Sequence, residues 1–323
     1  MIKVPPILYL VLPCYNESET LDYSIEKVKE KLTRLIKEEK ISSKSKALFV
    51  NDGSKDDTLI RLHKAASEDN RLAVVSLASN RGHQNAIMAG MMVSKEYCDI
   101  AITIDADLQQ DIEALDEFIE KYRNGADVVY GIRNDRKSDG FMKKLTASMY
   151  YKLMHGLGAN VMTNHADYRL LSKKALEMLS GYEESNLFLR GLIPTMGFNS
   201  DIVYFDVKER EFGKSKYTVK KMFTLALDGI TSMSTRPLHI ISILGFLVFL
   251  FSVVVGIFTI VDYFNGKNIQ GYTTSIIVSL LIGGVTLLSL GVMGEYIGKV
   301  YLETKHRPRY LIDSVIIKDT EEK

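Results

Sequence analysis

Two long stretches of this chain carry no charged side chain, and no other feature limits its fold as severely. Between Arg236 and Asp262 there is no Asp, Glu, Lys or Arg, and Ile240–Val261 reads IISILGFLVFLFSVVVGIFTIV. As a helix that run is about 30 Å long, the thickness of a bilayer's hydrocarbon core. A second uncharged stretch runs from Asn268 to Gly294, densest over Ser275–Met293. A helix in a water-soluble core is shorter and keeps a polar face, so both segments are expected to span a membrane. Arg236 precedes the first, and Lys299, Lys305, His306, Arg307 and Arg309 follow the second, while the loop between them holds only Lys267. That bias places both flanks in the cytosol and the loop outside. Two helices are too few for a transporter; they make an anchor.

The remaining composition narrows the choices. A formal net charge of +1 provides no global basic field, so nucleic acid is not an expected partner. Cys14 and Cys98 lack metal-ligand spacing and are expected to pack as small apolar residues in a reducing compartment. Met1–Leu12 is too short for a signal peptide and contains Pro5 and Pro6, so the N-terminal domain is expected to stay where it is made. Over 1–210 apolar runs alternate with amphipathic stretches. Expected strands are Ile7–Leu12, Ala47–Asn51, Ala73–Leu77, Ile100–Ile104 and Val128–Tyr130. Leu21, Ile25, Val28, Leu32, Leu35 and Ile36 recur at helical spacing and predict the first helix. Continuous apolar strands between helices imply an α/β fold with a Rossmann-like, mostly parallel sheet covered on both faces.

In such sheets ligands bind beyond the carboxyl ends of the strands. Three polar motifs fall there: Pro13–Glu17 (PCYNE), Asn51–Ser54 (NDGS) and Asp105–Gln109 (DADLQ). Two carboxylates as close as Asp105 and Asp107 repel unless a cation lies between them. Oxygen-only ligands suit Mg²⁺ or Mn²⁺, which in turn suits a diphosphate substrate. A lone D-x-D is a weak signal, because acidic pairs after strands also cap helices. Its company strengthens it.

Taken together these motifs resemble the inverting family 2 glycosyltransferases of GT-A fold, and more narrowly the polyprenyl-phosphate glycosyltransferases related to dolichol-phosphate mannose synthase and the bactoprenol glucosyltransferases. The resemblance covers nearly the whole chain. It runs through Pro13–Glu17, Val50–Thr58 (VNDGSKDDT), Asn80–Ala86 (NRGHQNA), Asp105–Gln109, Asp167–Ser172 (DYRLLS) and Arg210–Tyr217 (REFGKSKY). The ending GEYIGKVYLETKHRPRY is similar to that of bacterial members with two helices.

The resemblance implies a hexosyltransferase that moves glucose or N-acetylglucosamine from a UDP-sugar to undecaprenyl phosphate at the cytoplasmic membrane face. The product would be a lipid-linked donor for modifying cell-envelope glycans. GDP-mannose as donor, or a non-catalytic membrane scaffold on the same fold, are the alternatives. Pro13, Tyr15, Glu17 and Asp52 would hold the nucleoside. Asp105, Ala106 and Asp107 would line the nucleotide-sugar site with Arg133 on phosphate, and Asp105, Asp107 and Gln109 would bind Mg²⁺ or Mn²⁺. Arg210 and Lys216 would close over the diphosphate or hold the acceptor phosphate. Asp167 is the implied acid/base, although a lipid phosphate ionised near pH 7 hardly needs one; it could instead orient a substrate. Structural readings stand beside these: Asp167 as cap of a helix over Leu170–Met178, Glu17 as a helix-start carboxylate, Asp52 as a turn former with Gly53, and Arg210 and Lys216 as a basic patch facing anionic lipid.

His83 opens a helix and is expected to be structural or a substrate contact. Gln110-Asp111 departs from relatives, which place His or Asp and then Pro there; Asp111 can favour the same helix start through the dipole. A processive glycan synthase would carry a Q-x-x-R-W motif, and the chain has no tryptophan. No G-x-G-x-x-G follows the first strand, which excludes a dinucleotide oxidoreductase. The expected organisation is a catalytic domain over 1–216, an amphipathic juxtamembrane helix over 217–235, spans over 236–262 and 275–297 joined by an external loop over 263–274, and a cytosolic tail over 298–323. A homo-oligomer is expected, since Gly283, Gly284, Gly291 and Gly294 permit close helix packing.

Overall fold

The computed structural model describes residues 4–134, 165–185, 187–206, 234–265 and 272–318. These fall into two compact units. The first holds the described residues up to 206 together with 308–318, and the second holds 234–265 and 272–307.

The first unit is a layered α/β domain. Its elements are β1 (Leu8–Cys14), α1 (Leu21–Lys37), β2 (Lys46–Asn51), α2 (Thr58–Glu68), β3 (Leu72–Leu77), α3 (His83–Ser94) and β4 (Ile100–Thr103). A short 3-10 turn (Ile112–Ala114) then leads into α4 (Leu115–Arg123) and β5 (Val128–Arg133). After them come β6 (His165–Ser172), α5 (Lys173–Ser180), α6 (Leu189–Thr195), β7 (Ser200–Phe205) and, far later in the chain, β8 (Ile312–Ile316). The strands form one sheet in the order β7-β5-β6-β4-β1-β2-β3-β8.

All five expected strands and the first helix are present, with ends shifted by a few residues. The sheet is more mixed than continuous apolar runs imply. Its centre, β4-β1-β2-β3, is parallel, but β6 runs antiparallel to both β4 and β5, and β8 runs antiparallel to β3. Strand residues alternate between two cores, as a pleated sheet covered on both faces requires. Leu8, Leu10, Leu12 and Cys14 enter one cluster with the apolar face of α1, while Tyr9 and Val11 enter the other with α3.

Helix α3 lies very close to the sheet. A Cβ on Gly90 would stand 2.4 Å from Val11 Cγ1 and 2.7 Å from Val50 Cγ2, both on buried strands. We therefore expect Gly90→Ala to destabilise the protein by about 1–3 kcal/mol through overpacking, despite alanine's better helix propensity. Thermal melts followed by circular dichroism would show it, and an unchanged melting temperature would contradict this packing.

The C-terminal segment is more than a tail. Val75 pairs with Val315, Ala78 N donates to Leu311 O at 2.9 Å, and Lys318 Nζ donates to Ser67 O at 2.8 Å. The edge of β3 is thereby covered, which removes an exposed row of backbone donors and acceptors.

The second unit contains α7 (Arg236–Phe264) and α8 (Tyr272–Thr304). Both are long and apolar enough to cross a membrane. Phe246, Phe251 and Leu287 are 59%, 64% and 72% exposed, an apolar surface suited to lipid rather than water. Among the described residues, nothing lies within 4 Å of where a Cβ would sit on Gly283, Gly284, Gly291 or Gly294. The juxtamembrane helix expected over 217–235 lies outside the described residues except for its last two.

Candidate active site

Because β1, β2, β3 and β4 are parallel, the loops after them emerge at one edge of the sheet. The first two are bound together by short polar contacts. Asn16 N donates to Ser54 Oγ at 3.0 Å, Lys55 N to Asn16 Oδ1 at 2.8 Å, and Glu17 N to Thr58 Oγ1 at 3.0 Å. Gly53 turns between them at φ +62°, and a Cβ there would meet Asn80 N at 2.5 Å, so only glycine fits. Tyr15 is 38% exposed beside this turn, an aromatic face open to a ligand.

Asp52 is buried, and both carboxylate oxygens accept backbone N–H groups, from Arg81 at 2.6 Å and Gly82 at 2.9 Å. Burial pushes its carboxyl above the ordinary value, against the pull of those two amides. Its structural work is thus to hold the loop that starts α3, a longer-range task than shaping its own turn with Gly53.

The D-x-D loop lies next to β6. Thr103 pairs with Arg169, and the antiparallel register carried two residues further sets Asp105 across from Asp167. Thr103 Oγ1 donates to Asp167 O at 2.6 Å, which tightens this junction. Within the loop Leu108 takes φ +48°, an uncommon conformation for a branched residue, and Leu108 N donates to Asp105 O at 3.0 Å. Ala106 is buried and its carbonyl accepts from Ser24 Oγ of α1 at 2.6 Å. Gln109 closes the loop through its backbone, its N–H reaching Asp107 Oδ1 at 3.2 Å.

Gln110 gives the departure from the family pattern a purpose. It is 1% exposed and grips Asp105 twice: its Nε2 donates to Asp105 Oδ2 at 2.7 Å, and its Oε1 accepts from Asp105 N at 3.0 Å. Asp105 Oδ1 is left facing His83 Nε2 at 3.5 Å. Asp111 caps the following 3-10 turn by accepting from Glu113 N at 3.3 Å, as its place in the sequence implies.

Asp167 is the centre of the cluster. It belongs to a strand, not to the cap of a helix over Leu170–Met178; α5 begins only at Lys173, capped by Ser172. The carboxylate is 5% exposed and sits between two guanidinium groups. Arg169, fully buried two residues on along the same face of β6, bonds Oδ1 through Nη2. Arg190 of α6 approaches from the other side, with Nε 3.2 Å from Oδ1 and Nη2 2.8 Å from Oδ2. His83 Nε2 is 3.5 Å from Oδ2, and Gln84 Nε2 donates to the same oxygen at 3.4 Å. Burial alone would raise the Asp167 carboxyl, but the Arg190 charge, the His83 hydrogen bond and the Arg169 charge carry it well below the ordinary range. It is a firmly ionised carboxylate and a poor base.

Asp105 is shifted the opposite way. Burial raises its pKa, and the charges of Asp167 and Asp107 add to the rise while His83 and Arg133 oppose it. Arg133, exposed at the end of β5, therefore acts on the same cluster. Among the described residues no set of three or more His, Cys, Asp or Glu side chains forms a metal cage. The donors nevertheless fit a hard divalent cation of the Mg²⁺ kind, which takes one or two carboxylates and completes its shell with water and substrate phosphate. A cation at Asp105 and Asp107 would also relieve the repulsion that raises Asp105.

The fold thus brings Asp105, Asp107, Arg133 and Asp167 to one place, with Pro13 near the end of β1 and Tyr15, Glu17 and Asp52 on the adjoining loops. Arg210 and Lys216 lie outside the described residues. Sequence reasoning overlooked Arg190, which sits in an ordinary-looking F-L-R-G-L run, and it did not use Arg169. Strand alternation would have paired Arg169 with Asp167, had residues 165–172 been read as a strand.

A layered α/β sheet with an acidic loop and a rim of cations at its carboxyl edge is the architecture of a glycosyltransferase of GT-A-like fold. The chain belongs to glycosyl transferase family 2, whose profile matches residues 9–179. It is 43% identical to the uncharacterized glycosyltransferase YkoT of Bacillus subtilis (strain 168) over 97% of this chain and 93% of the relative. A bactoprenol glucosyl transferase of Shigella phage SfX is 38% identical over 94% of this chain and 98% of its own. The prophage bactoprenol glucosyl transferase homolog of Escherichia coli (strain K12) is 37% identical over 95% and 98%. Among solved structures, glucosyl-3-phosphoglycerate synthase from Mycobacterium tuberculosis covers 72% of this chain and 79% of its own at 18% identity, with a TM-score of 0.48.

Proposed function

We propose that this glycosyltransferase moves a hexose, glucose or N-acetylglucosamine, from a UDP-sugar to polyprenyl phosphate at the cytoplasmic face of a membrane. The observation that carries the reading is the carboxylate cluster at the sheet edge, in a chain whose full-length relatives are named bactoprenol glucosyl transferases and whose α7 and α8 suit a bilayer. The acceptor phosphate oxygen attacks the anomeric carbon, the bond to the UDP oxygen breaks, and configuration inverts. Negative charge grows on the departing diphosphate, so the main catalytic contribution is positive charge fixed in place beforehand. Asp105 and Asp107 would hold a Mg²⁺ or Mn²⁺ that neutralises that charge. Arg133 would add to it, and Arg210 and Lys216, on the segment leading to the first span, are proposed to close over phosphate. Because the acceptor is already ionised, Asp167 is read as an orienting group rather than a base. Tyr15, Pro13 and Glu17 would receive the nucleoside.

Connectivity supports the topology. β8 follows both long apolar helices in the chain yet shares a sheet with β1–β7, which supports an even number of crossings between β7 and β8. With the basic flanks, this supports a hairpin anchor whose two ends lie with the catalytic unit in the cytoplasm.

The decisive experiment incubates the purified full chain with undecaprenyl phosphate and a panel of nucleotide sugars, then identifies glycolipid by mass. A hexosyl or N-acetylhexosaminyl lipid formed from a UDP-sugar is expected. Product from GDP-mannose alone would overturn the donor assignment, and no transfer from any donor would overturn the reading.

A further inference from the structure

Asp105 is aimed by Gln110, a residue to which the proposed reaction gives no task. Gln110 is 1% exposed, and its carboxamide closes a ring with one residue: Nε2 donates to Asp105 Oδ2 at 2.7 Å, while Oε1 accepts from Asp105 N at 3.0 Å. A bond to the carboxylate alone would leave that side chain able to turn about its own backbone. Holding the carboxylate and the backbone N–H of the same residue fixes both of its rotatable angles at once. A carboxamide can do this because it carries a donor and an acceptor on one planar end. Aspartate there would offer no donor and would set a second anion against the first.

Gln110 is itself anchored. Leu108 before it and Ile112 after it belong to the buried cluster that also holds Leu115 and Phe118 of α4. The hydroxyl of Tyr168 on β6 donates to Asp111 O at 3.2 Å, which ties the next peptide to the sheet. The clamp is also uncharged. Asp167, at the same edge, is held by two guanidinium groups that offset its charge, whereas a neutral donor orients Asp105 and leaves the negative charge in place. The other oxygen, Oδ1, has His83 Nε2 at 3.5 Å. A carboxylate oxygen has two lone pairs, so a cation can share it.

We propose that Gln110 is the positioning residue of the cation site: it presets the Asp105 carboxylate, so that a Mg²⁺ or Mn²⁺ ion meets a ligand already in place. Side chains that orient a metal's ligands without touching the metal contribute about 10- to 100-fold to its affinity. The inference rests on the reading of Asp105 and Asp107 as ligands of that ion, and metal binding by the wild type is therefore measured beside every variant.

The test compares wild type, Gln110→Met and Gln110→Asn in the full-length protein. Methionine keeps the length and volume without the pair of hydrogen bonds, and asparagine keeps the carboxamide but is one methylene too short to reach both partners. Free Mn²⁺ followed by electron paramagnetic resonance, with and without UDP, gives the dissociation constant, and sugar transfer is measured over a range of Mn²⁺ concentrations. In Gln110→Met the Mn²⁺ dissociation constant should rise about 10- to 100-fold. Excess Mn²⁺ should restore most of the transfer rate, because Asp105 and Asp107 are still present. Gln110→Asn should shift the same way by a smaller factor, and it decides the matter if Gln110→Met does not fold. Wild-type Mn²⁺ affinity in a folded variant, with only a lower melting temperature, would overturn the proposal and leave Gln110 as a staple of the loop. Wild type that binds no Mn²⁺ even with UDP would overturn the metal reading and the inference with it.

Discussion

Asp107→Asn should lower sugar transfer roughly 100-fold or more while leaving the fold intact, the scale seen when one preorganised electrostatic group is lost. The side chain is half-buried in a loop whose shape is set elsewhere, by Gln110 on Asp105, by Ser24 on Ala106 and by the capping of Asp111. Asparagine keeps the size and can still accept from Gln109 N, so the change is electrostatic. Removing that charge also removes part of the repulsion that raises the Asp105 carboxyl. Wild type should therefore gain thermal stability when Mn²⁺ or Mg²⁺ is added, because the cation relieves that repulsion, and Asp107→Asn should lose most of the gain. Transfer of radiolabelled sugar into a lipid extract and melting curves with and without metal check both halves. Wild-type rates in the variant, together with activity that survives EDTA, would exclude a metal role for the D-x-D loop.

Truncating the central carboxylate should cost more in stability than any other single change in this site. Asp167→Ala leaves Arg169 fully buried without its anion, and breaking such a buried pair costs about 3–5 kcal/mol. Asp167→Asn keeps a hydrogen-bond acceptor and should lose less. The folded-state pKa of Asp167 is depressed, so its stabilisation is fully present above the unfolded value of about 3.9 and is lost as pH falls from there through the folded value. The stability gap between wild type and Asp167→Asn should therefore widen somewhat between pH 7 and pH 5, where Asp167 helps hold His83 protonated against the cost of partial burial, and close as pH falls below about 4. Urea unfolding of the detergent-purified chain at stepped pH, followed by circular dichroism, measures that gap. A gap that failed to close below about pH 4 would show that the Asp167 carboxyl is not held below its ordinary range.

Much of this site was legible from residue order because its loops obey local rules. Parallel strands send their C-terminal loops to one edge, so P-C-Y-N-E, N-D-G-S and D-A-D-L-Q had to meet once the strands were recognised. Asp111 was readable as a helix-start carboxylate for the same local reason. The sheet's antiparallel members were not readable. Residues 165–172 alternate too weakly between apolar and polar to distinguish a strand beside β4 from the start of a helix, and the pairing partner that decides it lies over sixty residues away. β8 is more distant still, since two membrane-length helices separate it in sequence from the β3 edge it covers.

The sequence by itself carried the resemblance to glycosyltransferases, through several motifs in one order, and two segments long and apolar enough to cross a membrane. An uncharged run of membrane length is a local property that holds wherever the rest of the chain goes, whereas the carboxylate pair took its meaning from the motifs around it. Tertiary structure alone decided what the charges do to one another. Asp105 and Asp167 are the same residue type at one sheet edge, yet burial among carboxylates raises one and two guanidinium groups lower the other. Which cations stand within 3–4 Å of a carboxylate depends on strand register and on α6 docking at Gln84, and neither is written in any one segment. A pKa is a property of surroundings, and those surroundings exist only once distant segments have packed.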